Sequence, residues 1–221
     1  MMGRDANTFG QRLSRLARHM LWPVHRQNPN DFPPGGILEW VWDTLFYTMD
    51  VAGIPEMYMG LNRLMKTGVR PLSEQEIRLG RRIFGDAIDY SRVRVDESAR
   101  IGTRRLALAY VSFNLINYRR KINKAIFVHE LMHIWQYQKF GSIYLARAIK
   151  AQRSKEGYDY GGVEYLYQAM NRGMSLLEFN FEQQADIVED YYRLLKNASA
   201  AGPMVLSIYG YFANQVREDH C

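Results

Sequence analysis

Cysteine is nearly missing from this chain: the only one is its last residue, Cys221. That excludes an intrachain disulfide and a thiolate-rich zinc site, and makes a reducing compartment the natural setting. Long apolar runs are also absent. The most hydrophobic region, Ile37 to Met65, is interrupted by Glu39, Asp43, Asp50, Gly53, Pro55 and Glu56, so no transmembrane span is expected. No early segment combines a basic start, an apolar core and a small-residue cleavage site, so a cytoplasmic start is expected. The net charge is +6 with a pI near 9.4, but the basic residues are scattered and no nucleic-acid motif accompanies them. Most of this charge reads as solvated surface, without a nucleic-acid partner. With 221 residues and 47% hydrophobic content, the chain can bury a full core as one domain plus an extension.

Residues 8–21 place Phe9, Leu13, Leu16 and Met20 at helical spacing between arginines. The plainest use of that stripe is packing on the rest of the protein; a partner protein or a peripheral contact with an anionic membrane is the alternative. The turn-rich stretch Asn28 to Gly36 reads as a linker, and Ile37–Met49 and Glu56–Lys66 as two apolar helices. Residues 1–70 therefore form a helical N-terminal extension, as a docking surface or an inhibitory cover, and residues 71–221 the main domain. Ser73 and Glu76 open a helix as a capping box and Gly85 closes it. Arg92–Val95 and the alternating stretch Arg105–Tyr118 read as strands, with Leu115–Asn117 a candidate to hold a substrate backbone or simply a structural strand. After Gly141, a helix beginning at Ser142 turns Ile143, Ala146 and Ile149 inward. The expected fold is α+β and helix-dominated, with a small mixed or antiparallel sheet beside the central helix.

That central helix, Asn123 to Phe140, carries His129-Glu130-Leu131-Met132-His133. Residues four apart share one face of a helix, so both imidazoles can reach a single metal ion while Glu130 stands beside it as a general base. The neighbours Ile126, Phe127, Val128, Leu131, Ile134 and Trp135 suit any buried helix. Two histidines and a glutamate among them are costly to bury unless something partners them, and Zn2+ would do so.

A catalytic zinc has three protein ligands and an open position. Ser175 to Lys196 reads as one helix, with Leu177, Phe181, Val188, Tyr191 and Leu195 apolar and Glu178, Glu182, Asp186 and Glu189 on the adjoining face. Glu182 is the best third ligand, with Glu178 and Asp186 as alternatives; Asp186 can otherwise accept a hydrogen bond from a ligand imidazole. The bland alternative is a solvated acidic face.

HELMHIWQYQ, with FEQQADIVEDYY downstream and PLSEQEIRLGRRIFGDAIDYSRVRV upstream, resembles the bacterial zincin-like "Vgr-related" proteins of Rhs elements, over roughly residues 71–195. The E-x-x-x-D pair resembles that of the gluzincins. The resemblance implies a zincin-like metallopeptidase domain associated with contractile injection, or type VI secretion, loci. It implies His129, His133 and Glu182 as ligands, Glu130 as the base and Asp186 as the carboxylate behind the first histidine. It further implies a peptide or protein substrate, a secretion or toxin protein as partner, and possible export by an injection system; the alternative is a catalytically silent interaction module. Between His133 and Glu182 lies a Tyr-rich insert, and the only later histidine is His220. Tyr158 or Tyr160 can stand in as oxyanion donor, with aromatic packing the ordinary use of each.

Overall fold

A central helix is demanded by the run from Phe127 to Gln138, in which every residue is buried. In the computed structural model, which describes residues 8–25, 36–66, 68–99, 109–119 and 121–218 (side chains of 22–25 apart), this is α5, Lys124–Phe140. Linker residues 28–35, the start of the predicted strand (105–108), His220 and Cys221 lie outside the described residues. Asn123 caps the helix, its side chain accepting from the Ile126 N–H at 2.9 Å, and Gly141 closes it at φ 80. That positive φ is the conformation in which a glycine costs least.

Before α5 come α1 (Phe9–His25), α2 (Gly36–Val51), α3 (Ile54–Met65), β1 (Val69–Pro71), α4 (Glu74–Phe84), β2 (Arg94–Asp96), β3 (Ala109–Ser112) and β4 (Leu115–Tyr118). After it come α6 (Ile143–Arg153), α7 (Gly162–Asn171), a 3-10 turn (Leu176–Glu178), α8 (Phe181–Lys196), α9 (Ala198–Ala201), α10 (Pro203–Ala213) and α11 (Gln215–Glu218). The fold is α+β and helix-dominated, with one four-stranded mixed sheet in the order β1-β2-β4-β3. β2 and β4 run parallel, and the other two pairs are antiparallel. The capping box of Ser73 and Glu76 and the helix end at Gly85 form as expected.

The sheet lies against α5, and α8 makes the most extensive helix contact with α5. β4 is interior and wholly buried, so Leu115–Asn117 has no free edge to offer a substrate; among the described residues β3 is the outer strand instead. The two-residue β3–β4 turn places Phe113 at φ 60, an unusual conformation for a bulky residue. Its ring packs on Tyr58 and Tyr137, with centroids 5.3 and 5.5 Å away, while Gln138 Nε2 donates to Asn114 Oδ1 at 2.9 Å. Packing from α3 and α5 thus holds the turn that aims β3.

Three expectations change. Ser175–Lys196 is not one helix: Phe179 is extended, and Asn180 starts α8 with its own capping box to Gln183. In α6 the buried residues are Ile143, Tyr144, Ala148 and Ala151, whereas Ala146 is half-buried and Ile149 exposed, because the helix faces both α5 and α8 rather than one partner. In α1 the amphipathic logic is inverted: Arg12 is buried while Phe9, Leu13 and Met20 are exposed. Arg12 pairs with Glu56 and donates to the Asp50 carbonyl at 2.9 Å, so polar contacts rather than the apolar stripe seat this helix. The same holds for α2, where Asp50 accepts from the Ser142 N–H (2.8 Å) and hydroxyl (2.5 Å) and Arg147 Nη2 meets Asp43 at 2.6 Å. Residue 70 falls within β1, which is paired into the sheet.

Candidate metal centre

α5 and α8 bring His129, His133 and Glu182 together. The Nε2 atoms of His129 and His133 lie 3.4 and 3.5 Å from Glu182 Oε2. Two ligands bound tetrahedrally to zinc at about 2.0–2.1 Å stand about 3.3–3.4 Å apart, so these separations fit a shared ion. Glu182 is fully buried and its Oε2 accepts no hydrogen bond, while Oε1 accepts from Gln152 Nε2 at 2.8 Å. A buried carboxylate oxygen left without a donor costs more than a buried neutral polar group does unless a cation meets it. One oxygen is therefore fixed and the other is offered to the point at which both imidazoles aim.

The remaining nitrogens show which lone pairs are free. His129 Nδ1 faces Asp186 Oδ1 at 3.0 Å and Glu189 Oε2 at 3.2 Å, so it carries the proton and Nε2 is left to bind. Behind His133 runs a chain of amides. Gln184 Nε2 donates to the Phe179 carbonyl (2.7 Å), and its oxygen accepts from Gln136 Nε2 (3.0 Å), which also donates to the Phe181 carbonyl (2.9 Å). Gln136 Oε1 is thereby turned to His133 Nδ1 at 2.8 Å and makes it the donor. The break before α8 supplies the Phe179 carbonyl, and the first residue of α8 supplies that of Phe181.

Charge follows the same geometry. Burial draws the His129 imidazolium down, but Asp186, Glu182 and Glu189 outweigh it and hold its pKa well above the ordinary 6.5. His133 is also raised, burial being overcome by Glu182. Burial would raise Glu182, yet the two histidines bring it well below the ordinary carboxylate range. Glu130 is pushed up by burial, only partly offset by the histidines. Its Oε2 is buried without a hydrogen-bond partner.

His129, Glu130, His133, Glu182 and Gln152 line a cavity of about 370 Å³ whose other walls are β3, residues of α6 including Tyr144 and Ala148, and Tyr158, while Asp186, Glu189, Gln136 and Gln184 stand behind it. None of the described residues of α1–α3 lines it. Tyr158 stands beside His129, ring centroids 6.2 Å apart, with its phenol pushed up to about 12 by burial. Tyr160 is directed elsewhere: its hydroxyl bonds Asp190 Oδ2 at 2.5 Å and the Tyr209 hydroxyl at 2.8 Å. Glu178 is occupied in capping Ser175, away from the imidazoles. Sequence reasoning placed Glu189 on the acidic face but missed its hold on His129, and missed Gln136, Gln184 and Gln152 altogether. Only the i, i+3 spacing of His133 and Gln136 could have hinted at the amide chain.

No family model matches the chain. Among curated proteins, it is 30% identical over 135 residues to the type VI secretion system spike protein VgrG2b of Pseudomonas aeruginosa, a match covering 56% of this chain and 13% of that protein. The chain thus spans about an eighth of that relative's length. Among solved structures, the effector domain of P. aeruginosa VgrG2b aligns with a TM-score of 0.41 and 24% identity, over 72% of this chain and 92% of that one. The Vgr-related resemblance read from the motifs is met by this homology.

Proposed function

We propose that this protein is a zinc-dependent metallopeptidase of the gluzincin kind, acting in the setting of a type VI secretion system. One observation carries the reading: three buried donor atoms, His129 Nε2, His133 Nε2 and Glu182 Oε2, converge at tetrahedral-edge separations while Oε2 lacks any donor of its own. Two imidazoles and one carboxylate are a donor set suited to catalytic zinc. Bound there, the ion supplies Lewis acidity, polarising a carbonyl and acidifying water.

The chain's own residues perform the rest. Glu130, its carboxyl raised by burial, takes a proton from the attacking water and passes it to the departing amide nitrogen. β3 presents its outer edge beside the histidines and can take a substrate backbone as an added strand. Tyr158, protonated up to about pH 12, can donate to the developing oxyanion. Asp186 and Glu189 hold the His129 ring, and the chemistry belongs to a 71–221 metallopeptidase domain to which residues 1–70 add an extension whose described residues in α1–α3 stay out of the cavity lining. The homology to a spike protein supports a secretion-system partner and delivery by an injection machine.

Metal content of the folded wild type and of Glu182→Ala, measured by elemental mass spectrometry, tests the site. Near-stoichiometric zinc that is lost in the variant is expected; no zinc in the wild type after zinc is supplied would end the proposal. Glu130→Gln then separates catalysis from a silent binding module: zinc retained and peptide cleavage lost is the catalytic result.

A further inference from the structure

We infer that α1–α3 form a docking face for an anionic phospholipid surface. Soluble proteins seldom expose large contiguous apolar patches without a use. Here each of the three helices turns apolar side chains outward. On α1 these include Phe9 and Leu13, on α2 Leu38 and Trp42, and on α3 Leu64 and Met65, with Leu38 72% and Leu64 86% exposed. The residues recur at helical spacing, one face per helix, and the opposite faces carry the contacts with the domain.

The charges are sorted in the same sense. Three of the four acidic side chains of α1–α3 turn inward, Glu39 and Asp43 to Arg147 and Asp50 to Ser142, and the fourth, Glu56, is exposed but neutralised by its pairing with Arg12. Arg18 and Arg63 remain exposed. Beside α3 opens a cavity of about 680 Å³ whose walls include Phe9, Arg63, Arg92 and Arg94 together with the Arg12–Glu56 pair, so a recess with more guanidinium groups than carboxylates adjoins the start of the α1 stripe. An apolar face with its carboxylates withdrawn or paired and guanidinium groups at its margin is the pattern of interfacial helices that sink side chains among acyl chains and meet headgroup phosphates. A second copy of the chain would bring the same cations against themselves, which disfavours self-association. No helix among the described residues is long and apolar enough to cross a membrane, so the contact lies at the surface.

Co-sedimentation of the full chain with vesicles tests this, using phosphatidylcholine alone or mixed with phosphatidylglycerol. Binding to the mixed vesicles is expected, weakening as salt rises toward about 0.5 M because exposed charges are then screened. The double variant Trp42→Glu/Leu38→Glu should bind about tenfold or more weakly, and Arg63→Glu a few-fold more weakly with loss of the anionic preference. Circular dichroism and zinc content of each variant check that the domain is intact. No vesicle binding by the folded protein overturns the inference, as does equal binding to both vesicle types. So does a concentration-dependent dimer abolished by Trp42→Glu, which would assign the face to a second copy. Vesicle binding does not depend on the metal, so the metallopeptidase reading can fail without this one failing.

Discussion

His129 and His133 lie one turn apart on α5 and present the same nitrogen to Glu182, yet what stands behind each ring differs in kind. His129 Nδ1 is met by two carboxylates, Asp186 and Glu189, the second of them also paired with Arg193. His133 Nδ1 is met by a neutral amide, fixed through Gln184 to the Phe179 carbonyl. The charged side can move a proton and polarise its imidazole. The neutral side can only orient. A site built this way makes one imidazole strongly basic and the other merely well placed, and adds no further carboxylate to Glu130, Glu182, Asp186 and Glu189.

The neutral side should break hardest, because it has no duplicate. Gln136→Leu leaves the His133 Nδ1 proton and the Gln184 oxygen buried without partners, at a cost of about 1–3 kcal/mol for each group. It also frees the ring to turn, so zinc affinity should fall by about 10–100-fold. Chelator competition and thermal melting measure the two losses. Gln136→Glu restores the acceptor for His133 but turns a carboxylate oxygen toward the Gln184 oxygen and the Phe181 carbonyl, so it should recover affinity only in part; affinity no better than that of Gln136→Leu would mean that the acceptor does not aim His133.

The same contrast explains how much was legible in the sequence. His129, Glu130 and His133 follow from helical spacing, since residues three or four apart must share a face, whereas Glu182 was the best of several candidates on a second helix and Asp186 an alternative ligand or a partner of a ligand imidazole; the structure gathers all five. The amide chain was not legible, because one of its anchors, the Phe179 carbonyl, is free only where the expected helix 175–196 is broken. Propensity favours continuing that helix, and the Asn180 cap with its Gln183 partner overrides it. For Leu115–Asn117 the sequence left a substrate-holding and a structural strand both open, and the interior place of β4 leaves the structural one, since alternation identifies strands but not their order. For α1, periodicity located the helix correctly while ion pairing with Glu56 decided which face went inside.

On the charged side, redundancy should soften each single loss. Asp186→Asn and Glu189→Gln each leave one carboxylate on His129 Nδ1, so either alone should weaken zinc by about tenfold or less. The double variant should lose more than the sum of the two, because residues sharing one partner couple. Strict additivity would indicate that only one of the two oxygens orients the ring.

The smallest effect is a dependence on pH in the chelated protein. His129 has a folded pKa raised above 6.5, so the stability it contributes is fully present below 6.5 and fades as pH rises through the folded value. Burial opposes the charge on Glu189, but His129 and Arg193 bring its pKa below 4.5, so its contribution is present above 4.5 and fades as pH falls through the lowered value. The chelated protein should therefore melt highest between these limits and lose its alkaline limb in the Asp186→Asn/Glu189→Gln variant. His133 owes its raised pKa chiefly to Glu182, having only an amide behind it. In chelated Glu182→Gln, burial should then return His133 to the neutral form while His129 stays protonated through its two carboxylates. Imidazole nitrogen shifts followed by NMR across the titration distinguish the rings, and two histidines titrating alike would erase the difference between them.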